Sequence, residues 1–302
     1  MGPHAEPTPV VYSPRYHIDI GHHVFPTVKY RLLQQALAAD GRFTFVEPEP
    51  MSWDDLAAVH TPEYLEKVRT GRLTLEEIAQ LELPWSPDIV EGFRLMAGGT
   101  LQAARRALQS GLGLHIGGGF HHAFANHGEG FCLFNDVAVS VRLLQRERRV
   151  ARAAIVDCDV HHGNGTALIF DGDPSVFTFS IHQQHNYPAF KPRSTLDIGV
   201  NDRLPNVEYL TRLRQALPRI FAFEPEILFY LAGADPYEDD QLGGLALTAE
   251  GLRERDRLVA TASRAAGVPF VLTLAGGYAR RIEDTVAIHR ASIEAAVEVF
   301  AQ

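Results

Sequence analysis

Two cysteines, Cys132 and Cys158, cannot build a disulfide framework across 302 residues. A chain so poor in cysteine suits a reducing compartment, and a cytoplasmic location is expected. Basic charge is also short. Against 37 Asp and Glu stand 28 Lys and Arg, a net −9 with no basic run. That excludes the electrostatic footprint of a nucleic-acid binder or of a protein lying on anionic lipid. Uncharged apolar stretches such as Ile227 to Ala234 reach only about half the length of a membrane helix. The opening MGPHAEPTPV lacks the basic and apolar segments of a signal peptide, and Glu6 stands where N-myristoylation requires Ser or Thr. Neither an internal repeat nor a long Gly/Ser or Pro linker divides the sequence, and no phosphate-binding loop or dinucleotide fingerprint follows Gly117–Gly119.

What is present is the material of a folded globular protein. Hydrophobic residues are 46% and charged residues 22%, which excludes disorder. A chain of this length buries enough surface to fold without a staple. After a Pro-rich start, with residues 1–9 expected to fray, short apolar runs alternate with segments of helical period. The runs are Val10–Tyr12, Phe43–Val46, Leu112–Ile116, Ala153–Val156, Val176–Ile181, Ile227–Leu231 and Phe270–Leu274. The helical segments are Pro26–Ala39, Pro87–Gln109, Asp136–Arg148, Val207–Phe221, Ala249–Ala266 and Ile282–Ala301. Thr61-Pro62 and Ser86-Pro87 pair an N-cap with a proline at the first helical position, and Thr248 caps a third helix. Strands alternating with helices predict a mostly parallel sheet in one three-layer α/β/α domain spanning residues 1–302.

Ligands of such sheets bind at the carboxyl ends of the strands. Five runs deliver polar residues there: Gly117-Gly118-Gly119-Phe120-His121-His122, Asp157-Cys158-Asp159-Val160-His161, Ser180-Ile181-His182, Gly233-Ala234-Asp235 and Gly276-Gly277-Tyr278. In an extended segment Asp157, Asp159 and His161 share one face while Cys158 and Val160 point into packing. Two carboxylates on one face repel unless a cation lies between them. Asp235, with Asp159 and His161, makes a three-ligand site of two carboxylates and an imidazole, and three protein ligands leave positions open, as a catalytic metal requires. Zinc suits this donor set, and Fe(II) or Mn(II) is acceptable to it. Such an ion is formally neutralised by its ligands, so a nearby general base gains importance, and His121-His122 supplies one. Tyr278 offers a phenol to an oxygen that gains negative charge. His17, His22 and His23 are assigned to an entrance. His60, His127, His182, His185 and His289 are read as structural or surface residues, and both cysteines as packed.

These motifs, together with Gly130-Phe131-Cys132-Leu133-Phe134-Asn135-Asp136, occur in the order found in the zinc-dependent histone deacetylase family, which the chain resembles over nearly its whole length. Val11-Tyr12-Ser13-Pro14-Arg15-Tyr16 and Asn164 are most similar to the class IV branch and its bacterial relatives. The resemblance implies the arginase/deacetylase fold with an eight-stranded parallel sheet. It implies zinc on Asp159, His161 and Asp235, proton handling by His121 and His122, carbonyl polarisation by Tyr278, and Asp157 as the residue that orients His121. Gly130 and Phe131 match one wall of a narrow acyl-lysine channel and Tyr187 the opposite wall. A structural potassium ion is implied at Asp157, Asp159, His161, Ser180 and Ile181. Asn164 stands behind the second histidine where class I members carry aspartate. A neutral amide stabilises an imidazolium less than a carboxylate does, so His122 is expected to be the base and His121 the more readily cationic partner. The activity implied is removal of acyl groups, acetyl or longer, from lysine ε-amines of proteins or peptides. Hydrolysis of a small acylated amine such as an acetylpolyamine is the alternative, and a non-catalytic acyl-lysine binding module is the alternative of another class.

Overall fold

Apolar runs separated by crossover helices pair side by side in parallel, because a hairpin cannot join strands of the same direction. The computed structural model describes residues 6–301. Its strands are β1 (Thr8–Val11), β2 (Phe43–Val46), β3 (Leu112–His115), β4 (Ala153–Asp157), β5 (Val176–Gln183), β6 (Leu196–Val200), β7 (Ile227–Leu231) and β8 (Phe270–Thr273). They form one sheet in the order β2-β1-β3-β8-β7-β4-β5-β6. Every pairing is parallel. The helices are α1 (Val28–Ala38), α2 (Trp53–Leu56), α3 (Pro62–Thr70), α4 (Leu75–Leu81), α5 (Pro87–Ser110), α6 (Asp136–Arg146), α7 (Asn164–Ile169), α8 (Asn206–Phe221), α9 (Ala249–Ala265) and α10 (Ile282–Phe300).

Strands β4, β5, β7 and β8 are buried at every residue, as strands covered on both faces must be. Helix α5 packs over β1, β3, β7 and β8 beside α6, while α1, α10, α9 and α8 follow one another in a second row, giving the α/β/α arrangement. The caps form as the sequence indicates. Thr61, Ser86 and Thr248 accept the backbone N–H of Tyr64, Ile89 and Gly251.

Two sequence expectations change. Fraying does not reach residue 9, because Thr8 and Pro9 pair with Phe43 and Thr44 in β1, and residues 1–5 lie outside those described. Pro9 is tolerated there because pairing with β3 begins only at Val10, so its missing N–H breaks no ladder on that side. The second change is β6, which no apolar run announces. It is an edge strand of mostly half-buried residues, with Asp197 and Gly199 in its middle.

The strand order places the site. β4 lies between β7 and β5, with Asp157 level with Leu231 and Ser180. β8 lies between β7 and β3. The carboxyl ends of β3, β8, β7 and β4 therefore stand in a row where the strand order reverses, the position of ligand sites in open α/β sheets.

Candidate active site

Strand β4 ends at Asp157 and the chain bends. The bend separates residues that a continued strand would hold on one face. Asp157 turns to the first histidine, with Oδ2 2.6 Å from His121 Nδ1, while Asp159 and His161 turn inward. Cys158 and Val160 pack into the core as expected. Asp159 Oδ1 accepts the His161 N–H at 2.9 Å, and Oδ2 accepts the Gly276 N–H at 2.8 Å. From the end of β7, Asp235 Oδ1 accepts the Val160 N–H at 2.9 Å. The remaining donor atoms converge. His161 Nδ1 lies 3.0 Å from Asp159 Oδ1 and 3.3 Å from Asp235 Oδ2.

This cluster fits a divalent ion. Asp159, His161 and Asp235 each offer one donor atom within 4.8 Å of the others, and all three are buried. Among the described residues Asp235 Oδ2 is buried without a hydrogen-bond partner, an unusual state for a carboxylate oxygen. The charge balance points the same way. Burial and Asp159 push the Asp235 carboxyl up to about 7. Burial opposes a charge on His161, yet Asp159 and Asp235 lift it to about 10. Two buried carboxylates thus require positive charge at the point where the free donors meet. Gly276 leaves room for them, since a Cβ there would lie 2.0 Å from Asp235 Oδ2.

The two histidines are set apart by what stands behind them. His122 Nδ1 meets Asn164 Oδ1 at 2.7 Å. Burial opposes charge on both rings. On His121 the carboxylates of Asp157 and Asp159 outweigh burial and lift it to about 9. On His122 burial, then the neighbouring rings of His121 and His161, hold it well below the usual range. The two rings lie 4.1 Å apart between centroids, tilted by 50°.

A cavity of about 190 Å³ opens over these groups, lined by His121, His122, Tyr278 and the aromatic rings of Phe131 and Tyr187. Gly130 also lines it, so closely that a Cβ there would touch the Tyr187 hydroxyl at 2.9 Å. Phe25 stacks on Phe131 at 5.9 Å. Of the three N-terminal histidines, His23 meets the edge of Phe131 at 4.9 Å. The Tyr278 phenol is held protonated, since burial and then Asp235 and Asp159 raise it well above its usual value. Ser180 is level with Asp157, and its Oγ lies 3.0 Å from His182 Nδ1. A second grouping, His162, His182 and Asp197, is joined by His162 Nε2 and Asp197 Oδ1 at 3.2 Å.

Several residues that build the site show their role only in the fold. The Asp136 carboxylate accepts the N–H groups of Gly119 and Phe120 at 3.0 and 2.8 Å, pinning the loop that presents the histidines. Asp240 Oδ2 accepts the Tyr278 N–H at 2.7 Å. Buried Lys29 donates to the Ala275 carbonyl at 3.0 Å. Arg255, wholly buried in α9, donates from Nη1 to the carbonyls of Cys158 and Gly233 at 3.0 and 2.7 Å. It thereby ties the ends of β4 and β7 together. At sequence level Asp136 reads as a helix-start acid and Arg255 as a solvated helix charge. Only their distant partners reveal them.

Residues 23–293 match the family model described as histone deacetylase domain. The chain is 41% identical over 302 aligned residues to an uncharacterized protein of Picosynechococcus sp., covering 97% of this chain and 99% of that one. It is 30% identical over 298 residues to histone deacetylase 2 of Arabidopsis thaliana, covering 92% and 77%. In fold it is similar to the acetylpolyamine aminohydrolase of Burkholderia pseudomallei, with a TM-score of 0.81 at 22% identity over 97% and 99% of the two chains. With a matching domain over most of its length and a curated relative at this identity and coverage, the chain belongs to the histone deacetylase family, a family of metal-dependent amide hydrolases.

Proposed function

We propose that the protein hydrolyses the amide between an acyl group and the ε-amine of lysine in proteins or peptides. The observation that carries this reading is the narrow aromatic cavity ending on a three-ligand cluster, a histidine pair and a phenol. Asp159, His161 and Asp235 would hold one divalent ion, zinc or Fe(II) by donor type, and such an ion when bound polarises a carbonyl and acidifies water. The protein's own groups do the rest. Phe131 and Tyr187 sheathe the methylene chain and keep water from the amide. Tyr278 donates a hydrogen bond to the carbonyl oxygen as that oxygen gains negative charge. His122 Nε2 takes a proton from the attacking water. As the C–N bond breaks, a histidine of the pair returns a proton to the leaving amine. Asp157 orients His121 and stabilises its cationic form. Asp157, Asp159, His161, Ser180 and Ile181 together offer carboxylate, hydroxyl and carbonyl oxygens, donors that suit a structural potassium ion. The class IV resemblance of Val11–Tyr16 and Asn164 belongs to the same reading.

One observation favours a small acylated amine instead. Glu82 lines the cavity, where neither Lys nor Arg does, and a carboxylate there would attract a second ammonium group on the substrate. The discriminating experiment is acid release from lysine peptides bearing acyl chains of graded length, with acetylated polyamines alongside and with and without chelator. The proposal expects chelator-sensitive release, with kcat/KM for the best peptide exceeding that for any polyamine. The reverse ranking moves the substrate to small amines. Peptide binding without release reduces the protein to an acyl-lysine binding module. No helix among the described residues is long and apolar enough to cross a membrane.

A further inference from the structure

Glu129 precedes the Gly130–Phe131 wall, and its side chain is 14% exposed. Its carboxylate collects donors from several elements. Asn164 Nδ2 donates to Oε1 at 2.6 Å, and Gln80 Nε2 donates to Oε2 at 2.9 Å. His127 Nε2 lies 3.5 Å from the same carboxylate. Burial opposes ionisation, but these donors outweigh it and hold the carboxyl below its usual range.

An ionised carboxylate only accepts hydrogen bonds. Asn164 must therefore give its NH₂ to Glu129, which leaves Oδ1 facing His122 Nδ1 at 2.7 Å. The Gly165 N–H donates to that oxygen at 3.0 Å. An oxygen opposite Nδ1 requires the hydrogen to sit on Nδ1, so the neutral ring keeps its lone pair on Nε2. A flipped amide would aim its NH₂ at Nδ1, move the hydrogen to Nε2 and leave no base. We propose that Glu129 is a positioning residue that locks the Asn164 amide, and through it the Nδ1–H tautomer of His122. The inference rests on the hydrolase reading only in calling His122 the base.

The arrangement has an unexpected corollary. Asn164→Asp looks like the direct route to a more basic His122. Here it sets a second carboxylate against Glu129 at the position of a 2.6 Å hydrogen bond, so it is damaging. Adding Glu129→Gln removes the conflict, because a glutamine NH₂ can donate to Asp at position 164 while the other Asp oxygen accepts from His122 Nδ1.

The test is imidazole ¹⁵N spectroscopy of the zinc-loaded, substrate-free protein, with His122→Gln assigning the signal, alongside turnover of an acetyl-lysine peptide. Wild type shows Nδ1–H. Glu129→Gln shows a mixture of tautomers and a kcat lower by about 10-fold or more, the scale of lost support behind a catalytic histidine. Tyr187→Phe, which removes only the wall hydroxyl, leaves the tautomer unchanged. The double variant E129Q/N164D restores Nδ1–H and recovers kcat to within about 3-fold of wild type, well above Asn164→Asp alone. If the single variants fold poorly, the double variant decides by its melting midpoint, recovery supporting the proposal and additive loss overturning it. An unchanged His122 tautomer in Glu129→Gln, or additive losses in the double variant, overturns it as well. The tautomer needs no substrate, so a wild-type protein that releases no acid from any amide would overturn the hydrolase reading and leave this test standing.

Discussion

Tyr278→Phe lowers turnover by about 10²- to 10³-fold, the scale for loss of one preorganised donor to a developing oxyanion, while the protein stays folded. The reasoning starts from what the hydroxyl does in the resting structure. Among the described residues it makes no hydrogen bond, and the loop is held through the Tyr278 backbone: its N–H donates to Asp240 and its carbonyl accepts from Gln241 Nε2 at 2.9 Å. Removing the oxygen therefore costs the fold little. Burial beside Asp235 and Asp159 keeps the phenol protonated, so it has a hydrogen to donate. A donor matters most where charge appears, and the carbonyl oxygen carries more charge in the transition state than in the bound substrate. The loss falls on kcat, and KM, set by Phe131 and Tyr187, changes little. Steady-state kinetics with thermal melting check this. Turnover within about 3-fold of wild type, with the fold intact, would remove Tyr278 from the chemistry.

Arg255→Ala destabilises the protein by roughly 3–5 kcal/mol and lowers its melting midpoint by on the order of 10 °C. The guanidinium is wholly buried and paired with Asp256 at 2.7 Å. Removing it leaves a buried carboxylate, which retains the Tyr230 and Ser292 hydroxyls but loses its counter-charge. It also orphans the carbonyls of Cys158 and Gly233, one beside the first carboxylate ligand and the other two residues before Asp235. The β4 and β7 ends then lose their tie, so metal affinity falls together with stability. Denaturant unfolding and metal titration of the same variant measure both. A change below about 1 kcal/mol with unaltered metal binding would show that strand pairing alone positions the ligands.

The sheet was legible where strands are covered on both faces, because β4, β5, β7 and β8 read as mostly apolar runs. The exposed edge hid β6, where Asp197 and Gly199 interrupt any pattern. The candidate ligand cluster was legible for a similar reason. Acids and histidines beside glycine at strand ends have few uses in a core other than holding a cation or moving a proton. What period alone could not give is which group faces which. Asp157 shares the spacing of Asp159 and His161, but the bend after β4 sends it to His121. Arg255 is 97 residues from the Cys158 carbonyl it holds, and Glu129 is 35 residues from Asn164. Such charges look like ordinary solvated residues until the sheet order brings their partners beside them.

Metal uptake by purified protein, wild type against Asp235→Asn, probes the account most directly. The wild type is expected to take up a single zinc or iron ion per chain, with acid release from acyl-lysine peptides rising in step. In Asp235→Asn, uptake and release should both be lost while the melting curve stays that of a folded protein. A folded wild-type chain that takes up no ion, or an Asp235→Asn variant that binds it undiminished, would contradict the arrangement of Asp159, His161 and Asp235 around one cation.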